Sequence, residues 1–398
     1  MVYEVFESAV LSHVGAIPRP GGAADRVITS QDFQQAIAEI TSWEHYVPTP
    51  LLSLGELASD LSVTEVLYKD EGPRFGLGSF KALGGAYAAL LVLQEQLSNS
   101  LRRPVSLPEI RSGALSGEAA RITLVSATDG NHGRSLAWGC QRFGASCRIY
   151  IHAKVSEGRA AAMRSLGADV IRIGGDYDAS VGLAREEAET NGWFVISDTS
   201  WPGYTKSPRD VMAGYGVMTY EIFELLPRAP THVFLQGGVG GLAASVAAAL
   251  RQRWRGEAPR VVVVEPELAA CLFASAKAAR PTTVAITDET IMAGLSCGEP
   301  SELAWQVLSE EVSDFLTIPD KIVGPTMRLL ARPTRNDPAI EAGESSVAGL
   351  AALIAAARQK SLRSKLGLGS GSRVLVIGSE GITDREIYEA VMGETHDG

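Results

Sequence analysis

Short runs of apolar, mostly β-branched residues recur along this chain, each bounded by a turn and most followed by a helical pattern. Val66–Lys69, Ile122–Ser126, Cys147–Ile151, Val170–Ile173, Phe194–Ser197, His232–Leu235, Val261–Val264 and Val374–Ile377 have the length and composition of buried strands. Phe80–Leu93, Gly133–Phe143, Gly158–Leu166, Arg209–Leu226 and Leu242–Trp254 have helical spacing. Strands that alternate with helices predict parallel sheets covered on both faces. In such sheets a ligand sits outside the carboxyl ends of the strands, where glycine turns open helices. The 41 glycines fit that need for tight turns and close backbone approach.

A chain of 398 residues is long enough for two or three domains at about 150 residues each, or for one large α/β unit with an insertion. Ser98–Gly117 and Trp201–Pro208 read as boundary segments, and four of the predicted strands lie between them. The expected architecture is therefore α/β: two parallel-sheet domains, the smaller (93–204) inserted in the larger (1–92 and 205–398).

With 36 Lys and Arg against 46 Asp and Glu, the formal net charge is −10. That balance argues against binding nucleic acid or an anionic membrane through bulk charge. The most apolar stretch, His232–Leu250, is interrupted by Gln236, Ser245 and glycines, so no membrane span is expected. No basic segment leads an apolar run at the N-terminus, and a cytoplasmic location is expected. Four cysteines, not spaced as CxxC, predict neither a disulfide scaffold nor a metal site.

Three segments carry chemistry. In the first, a strand ending Tyr68-Lys69-Asp70-Glu71 gives way to Arg74-Phe75-Gly76-Leu77-Gly78-Ser79-Phe80-Lys81, which places Lys81 near the first turn of an apolar helix. Burial and a positive helix end both favour a neutral amine, and a neutral amine can form a Schiff base. The second, Ser126-Ala127-Thr128-Asp129-Gly130-Asn131-His132-Gly133-Arg134, opens a helix with backbone N–H groups suited to an anion. Asp129, a negative group in that setting, suggests a cation on the ligand, although Asp-Gly-Asn is also an ordinary turn. The third, Leu235-Gln236-Gly237-Gly238-Val239-Gly240-Gly241-Leu242, is a phosphate cradle between strand and helix. Its Gly238-x-Gly240-x-x-Ala243 spacing also fits a dinucleotide fingerprint, with Glu265 as the ribose acid. Asp198 and Ser379 each follow a predicted strand, as ligands or as turn caps.

A lysine after Ser-Phe, an asparagine loop, a glycine phosphate loop and a late serine, in that order, resemble the fold type II pyridoxal-phosphate enzymes, the group of threonine dehydratase and tryptophan synthase β. Within that group the chain resembles the diaminopropionate ammonia-lyase family. Lys69-Asp70-Glu71, Arg74–Leu77, Phe80-Lys81 and Leu83-Gly84-Gly85 carry the likeness, which continues through Asp198–Tyr204, Thr231–Gly240, Asn336–Pro338, Gly343–Ser345 and Glu380–Asp384. Ile291–Pro300 is particular to this lyase. Gly78-Ser79, Arg335 and Gly378-Ser379 depart from the family's usual residues.

The resemblance implies pyridoxal 5′-phosphate as cofactor. Lys81 would hold it covalently, with Phe80 beside it, and Asn131 would hold its 3-oxygen. Gly237, Gly238, Val239, Gly240 and Gly241 would bind the phosphate, and Ser379 the pyridine nitrogen. Asp129 and Asp198 match the family's acids near the substrate. The implied reaction is elimination from 2,3-diaminopropionate to pyruvate and two ammonia, by a homodimer. A β-ammonium suits two carboxylates, whereas the hydroxyl of serine requires none. Other β-eliminases acting on serine, threonine or a substituted alanine share most of these residues.

Overall fold

The computed structural model describes residues 3–393 except Asp129, Asp176 and Thr334, and only the backbone of Asp178. In chain order the strands are β1 (Ser12–Gly15), β2 (Leu51–Ser53), β3 (Glu65–Asp70), β4 (Thr123–Ala127), β5 (Ser146–Ile151), β6 (Asp169–Arg172), β7 (Phe194–Val195), β8 (His232–Gln236), β9 (Arg260–Pro266), β10 (Asp314–Ile318) and β11 (Arg373–Gly378). The helices that bear on function are α1 (Lys81–Leu101), α2 (Asn131–Phe143), α3 (Tyr177–Asn191), α4 (Lys206–Leu225), α5 (Gly241–Trp254), α6 (Cys271–Ala278) and α7 (Ala348–Arg358).

Contacts divide the chain into two compact units: Met1–Ser30, Pro48–Ser79 and Met218–Gly398 form the first, Gln31–Val47 and Phe80–Val217 the second. The second is thus built from two stretches that interrupt the first along the chain. These borders lie earlier and later than the 93–204 expected from sequence, because α1 packs along α2 and belongs with it.

The first unit holds a seven-stranded sheet in the order β1-β10-β9-β8-β11-β3-β2. Its five central strands are parallel, but β1 and β2 pair antiparallel at the edges, so the sheet is mixed rather than purely parallel. Burial explains the division. Every residue of β8 and β10 is buried, as a strand covered on both faces requires, whereas β1 and β2 are partly exposed. Helix α7 covers one face with small side chains, and Ala348–Ala357 are all buried. A Cβ on Gly349 would stand 3.1 Å from the Phe234 carbonyl, which marks how closely this helix approaches the sheet.

The second unit holds a parallel four-stranded sheet, β6-β5-β4-β7. Beside it α1, α2 and α4 meet at glycines. A Cβ on Gly84 would stand 2.5 Å from the Tyr215 ring, and one on Gly214 2.5 Å from the Leu83 carbonyl. The Leu83-Gly84-Gly85 run is therefore a helix-packing requirement that fixes the start of α1. No helix among the described residues is long and apolar enough to cross a membrane.

Candidate active site

In the second unit, Lys81 is the first residue of α1. Its ammonium pairs with Asp198, three residues beyond β7. Lys81 Nζ also lies 5.3 Å from the Phe80 ring centroid and 5.9 Å from that of Tyr215, and the two rings meet edge to face at 4.7 Å. Burial by itself would raise the Asp198 carboxyl; the Lys81 ammonium beside it, followed by His132, holds it far below the usual carboxylate range. His132 is the second residue of α2 and is 4 % exposed. Its Nε2–H donates to the Ile196 carbonyl at 3.0 Å. Burial lowers its pKa, and Asp198 opposes that shift. Asn131 begins α2, and the Thr128 hydroxyl accepts the N–H groups of Gly130 (3.1 Å) and Gly133 (3.3 Å). Asp129 lies outside the described residues.

In the first unit, the glycine turn joins β8 to α5. Gly238 (φ +61°) and Gly240 (φ +97°) take the left-handed region that glycine tolerates. The Gly237 N–H is bound by the Val264 carbonyl at 2.8 Å and the Gly240 N–H by the Gly237 carbonyl at 3.2 Å. These two residues therefore shape the loop and do not present their N–H groups, as the sequence reading had all five do. The N–H groups of Gly238, Val239 and Gly241 have no acceptor among the described residues, and no side chain caps α5. Ser379 follows β11, the parallel neighbour of β8, and is 4 % exposed. Gln236 ties the two strand ends together, its Nε2 donating to the Ile377 (2.6 Å) and Ser346 (2.7 Å) carbonyls.

Glu265 does not serve as a ribose acid. It is fully buried, and its carboxyl accepts the N–H groups of Leu272 (2.9 Å) and Phe273 (2.7 Å) in the first turn of α6. Burial pushes its pKa up to about 8 against those two donors. A Cβ on Gly237 would lie 2.3 Å from its Cγ, so this acid underlies the loop. That placement removes the acid on which the dinucleotide reading depends. All four cysteines are free thiols. Cys271 Sγ donates to the Gly238 carbonyl at 3.5 Å, and Cys297 Sγ lies 3.7 Å from the place a Gly238 Cβ would take.

The run from Lys69 to Arg74, which the sequence showed as a strand end and a likeness, has a physical basis in a buried ion cluster. Lys69 Nζ donates to Glu221 (2.6 Å) and to the Thr49 carbonyl (2.7 Å). Arg74 reaches Glu221 at 2.6 Å and 2.8 Å and Glu71 at 2.7 Å and 2.9 Å. Thr49 Oγ1 donates to Glu71 at 2.6 Å. Two cations and two anions, each at most 1 % exposed, neutralise one another and pin the segment that leads into Lys81. Glu221 gives no sign of this role in the sequence, because it stands 147 residues from Arg74 in an ordinary helical run.

These features suit the expected cofactor. In the first unit, the 14-residue helix α5 follows a glycine turn and no side chain caps its N-terminus, a setting whose backbone N–H groups suit an anion. In the second, Lys81 supplies an amine at a helix start beside a pair of aromatic rings. No group of three or more His, Cys, Asp or Glu that could hold a metal occurs among the described residues.

The family described as "Pyridoxal-phosphate dependent enzyme" matches residues 43–380. The diaminopropionate ammonia-lyase of Escherichia coli K12 is 38 % identical over 377 residues, covering 92 % of this chain and 94 % of that protein. A crystal structure of the Escherichia coli enzyme with D-serine superposes with a TM-score of 0.88 at 34 % identity, covering 97 % of both chains. Another, with an aminoacrylate-PLP azomethine reaction intermediate, gives 0.86 over the same coverage.

Proposed function

The chain belongs to the pyridoxal-phosphate-dependent enzymes and, within them, to the diaminopropionate ammonia-lyases, and from that premise we propose how its residues perform the reaction. The activity is α,β-elimination of 2,3-diaminopropionate to pyruvate and two ammonia, with pyridoxal 5′-phosphate as cofactor. When bound, the cofactor supplies an electron sink for the carbanion formed at Cα.

The observation that carries the residue assignment is the Lys81–Asp198 ion pair at the start of α1. Lys81 holds the cofactor and, once the substrate amine has displaced it, takes or returns the Cα proton. Asp198 is ionised, and its carboxylate orients the β-ammonium that leaves. Asp129 is the second acid, on the Thr128–Asn131 segment. Asn131 holds the 3-oxygen and Ser379 the ring nitrogen. Gly238, Val239 and Gly241 bind the phosphate through their N–H groups, and Gly237 and Gly240 give the loop its shape. Phe80 and Tyr215 lie beside the amine. Loss of the Cα proton and the β-amine leaves 2-aminoacrylate. In water this hydrolyses to pyruvate and the second ammonia. We place this chemistry in a cytoplasmic homodimer, on the family likeness.

The test is stoichiometric. The loaded enzyme is given 2,3-diaminopropionate, serine, threonine and 3-chloroalanine, and keto acid and ammonia are counted. Two ammonia per pyruvate, with the diamine the preferred substrate, is the expected result. A higher kcat/KM on serine or threonine would make the chain a dehydratase instead.

A further inference from the structure

Asp198 stands beyond the end of an edge strand. Strand β7 pairs with β4 only at Phe194 and Val195, and the last ladder bond runs from the Ile196 N–H to the Val125 carbonyl at 2.8 Å. The pairing ends there, yet a group that orients a reacting substrate must be held to within a fraction of an ångström. Side chains take over from the ladder. The Tyr204 hydroxyl donates to the Val195 carbonyl at 2.8 Å and accepts the Ser197 N–H at 3.1 Å. His132 Nε2–H holds the Ile196 carbonyl between them.

Tyr204 is itself braced. It closes a tight turn with Trp201, their backbones exchanging bonds of 2.9 Å and 3.3 Å, with Gly203 at φ +86° inside it. The Trp201 and Tyr204 rings stack at 4.1 Å and 15°. The Arg185 guanidinium of α3 lies 4.4 Å from the Trp201 ring centroid. Burial pushes the phenol up to about 12, so it keeps its proton through the neutral range.

We infer that Tyr204 is a positioning residue: its hydroxyl clamps the backbone on both sides of Ile196 and thereby sets the Asp198 carboxylate against Lys81. The inference rests on the reading of Asp198 as a group that works on the substrate. It assigns a purpose to the Trp-Pro-Gly-Tyr run, which the sequence showed only as part of a boundary segment and of a likeness.

The test is Tyr204→Phe in the cofactor-loaded enzyme, alone and combined with Asp198→Asn. Phenylalanine keeps the ring stack and removes one donor and one acceptor. A displacement of about 1 Å at a reacting group costs about 10²-fold in rate. The expected loss in kcat on 2,3-diaminopropionate is therefore roughly 10- to 100-fold, with KM changed less than about threefold. In the Asp198→Asn background the same substitution should cost less than about twofold, because the group it positions is gone. Amide hydrogen exchange should rise in the peptide spanning 195–200 and nowhere in the larger sheet. Three results would overturn the proposal: an unaffected kcat in Tyr204→Phe while Asp198→Asn is crippled, an equal loss in both backgrounds, or a fall of more than about 10 °C in melting temperature. Should Asp198→Asn itself keep full activity, the role of Asp198 fails first and the positioning role falls with it.

Discussion

Glu221→Gln probes the buried cluster that anchors the segment before Lys81. Glu221 accepts from Lys69 at 2.6 Å, from Arg74 at 2.6 Å and 2.8 Å, and from the Thr49 N–H at 3.1 Å. Glutamine keeps the shape and removes the charge, which leaves two cations facing a single carboxylate, Glu71, in a dry interior. Breaking one side of a buried ion pair costs about 3–5 kcal/mol, and the loss of a shared partner for two cations points to the upper part of that range. A unit of this size shifts its melting temperature by about 2–4 °C per kcal/mol, so a fall of about 10 °C is expected. The pH dependence has a definite sign. Burial would raise Glu221, but Arg74 and then Lys69 lower it below its ordinary value. A folded-state pKa below the unfolded one stabilises above the unfolded value, about 4.3, and the contribution is lost as pH falls through the folded value. The wild-type advantage over Glu221→Gln should therefore be complete at pH 7 and shrink in acid. Differential scanning fluorimetry from pH 3 to 8 measures both quantities. A shift below about 2 °C at pH 7, or an advantage that grows in acid, would refute the argument.

Lys81→Ala should abolish both turnover and the visible absorption of the lysine-bound cofactor; normal turnover in that variant would remove Lys81 from the mechanism. Asp198→Asn and Asp129→Asn should each retain cofactor, seen by absorbance after gel filtration, while elimination falls about 10²–10⁴-fold. Because the Cα protons of the two enantiomers point to opposite faces, both D- and L-2,3-diaminopropionate should be assayed, and full activity of both variants on both would reduce these acids to structural caps. Glu265, raised to about 8 by burial, stays protonated in the fold while its unfolded counterpart ionises, so it destabilises increasingly as pH rises from about 4.3 towards 8. Glu265→Gln should flatten that decline in melting temperature, and an unchanged slope would count against a neutral acid beneath the glycine turn.

Much of the local structure that carries the candidate site was legible because it is written in local pattern. The β8–glycine turn–α5 unit and the lysine at the head of α1 follow from a strand run, a turn and a helix in direct succession. The four strands of the smaller sheet all stand where the apolar runs placed them, although β7 stops at Val195 rather than Ser197. That difference arises because its ladder has one neighbour, and Tyr204 captures the Val195 carbonyl and the Ser197 N–H. The edges of the large sheet, β1 and β2, and the inner strand β10 carried no signal strong enough to be predicted. The edge strands are three and four residues long and partly exposed, so their antiparallel pairing comes from neighbours far along the chain.

The sequence by itself determined the class of fold and the order of the chemical residues, since periodicity and turn composition act over a few residues. Tertiary structure alone decided which charges meet. Glu221 joins Arg74 across 147 residues, and Asp198 joins Lys81 across 117. It also turned Glu265 from a candidate ligand into a buried support under the glycine turn, and two glycines of that turn from expected donors into residues whose N–H groups are already bonded. Desolvation and pairing depend on what surrounds a side chain in space, and a carboxylate's neighbours along the chain carry almost none of that information.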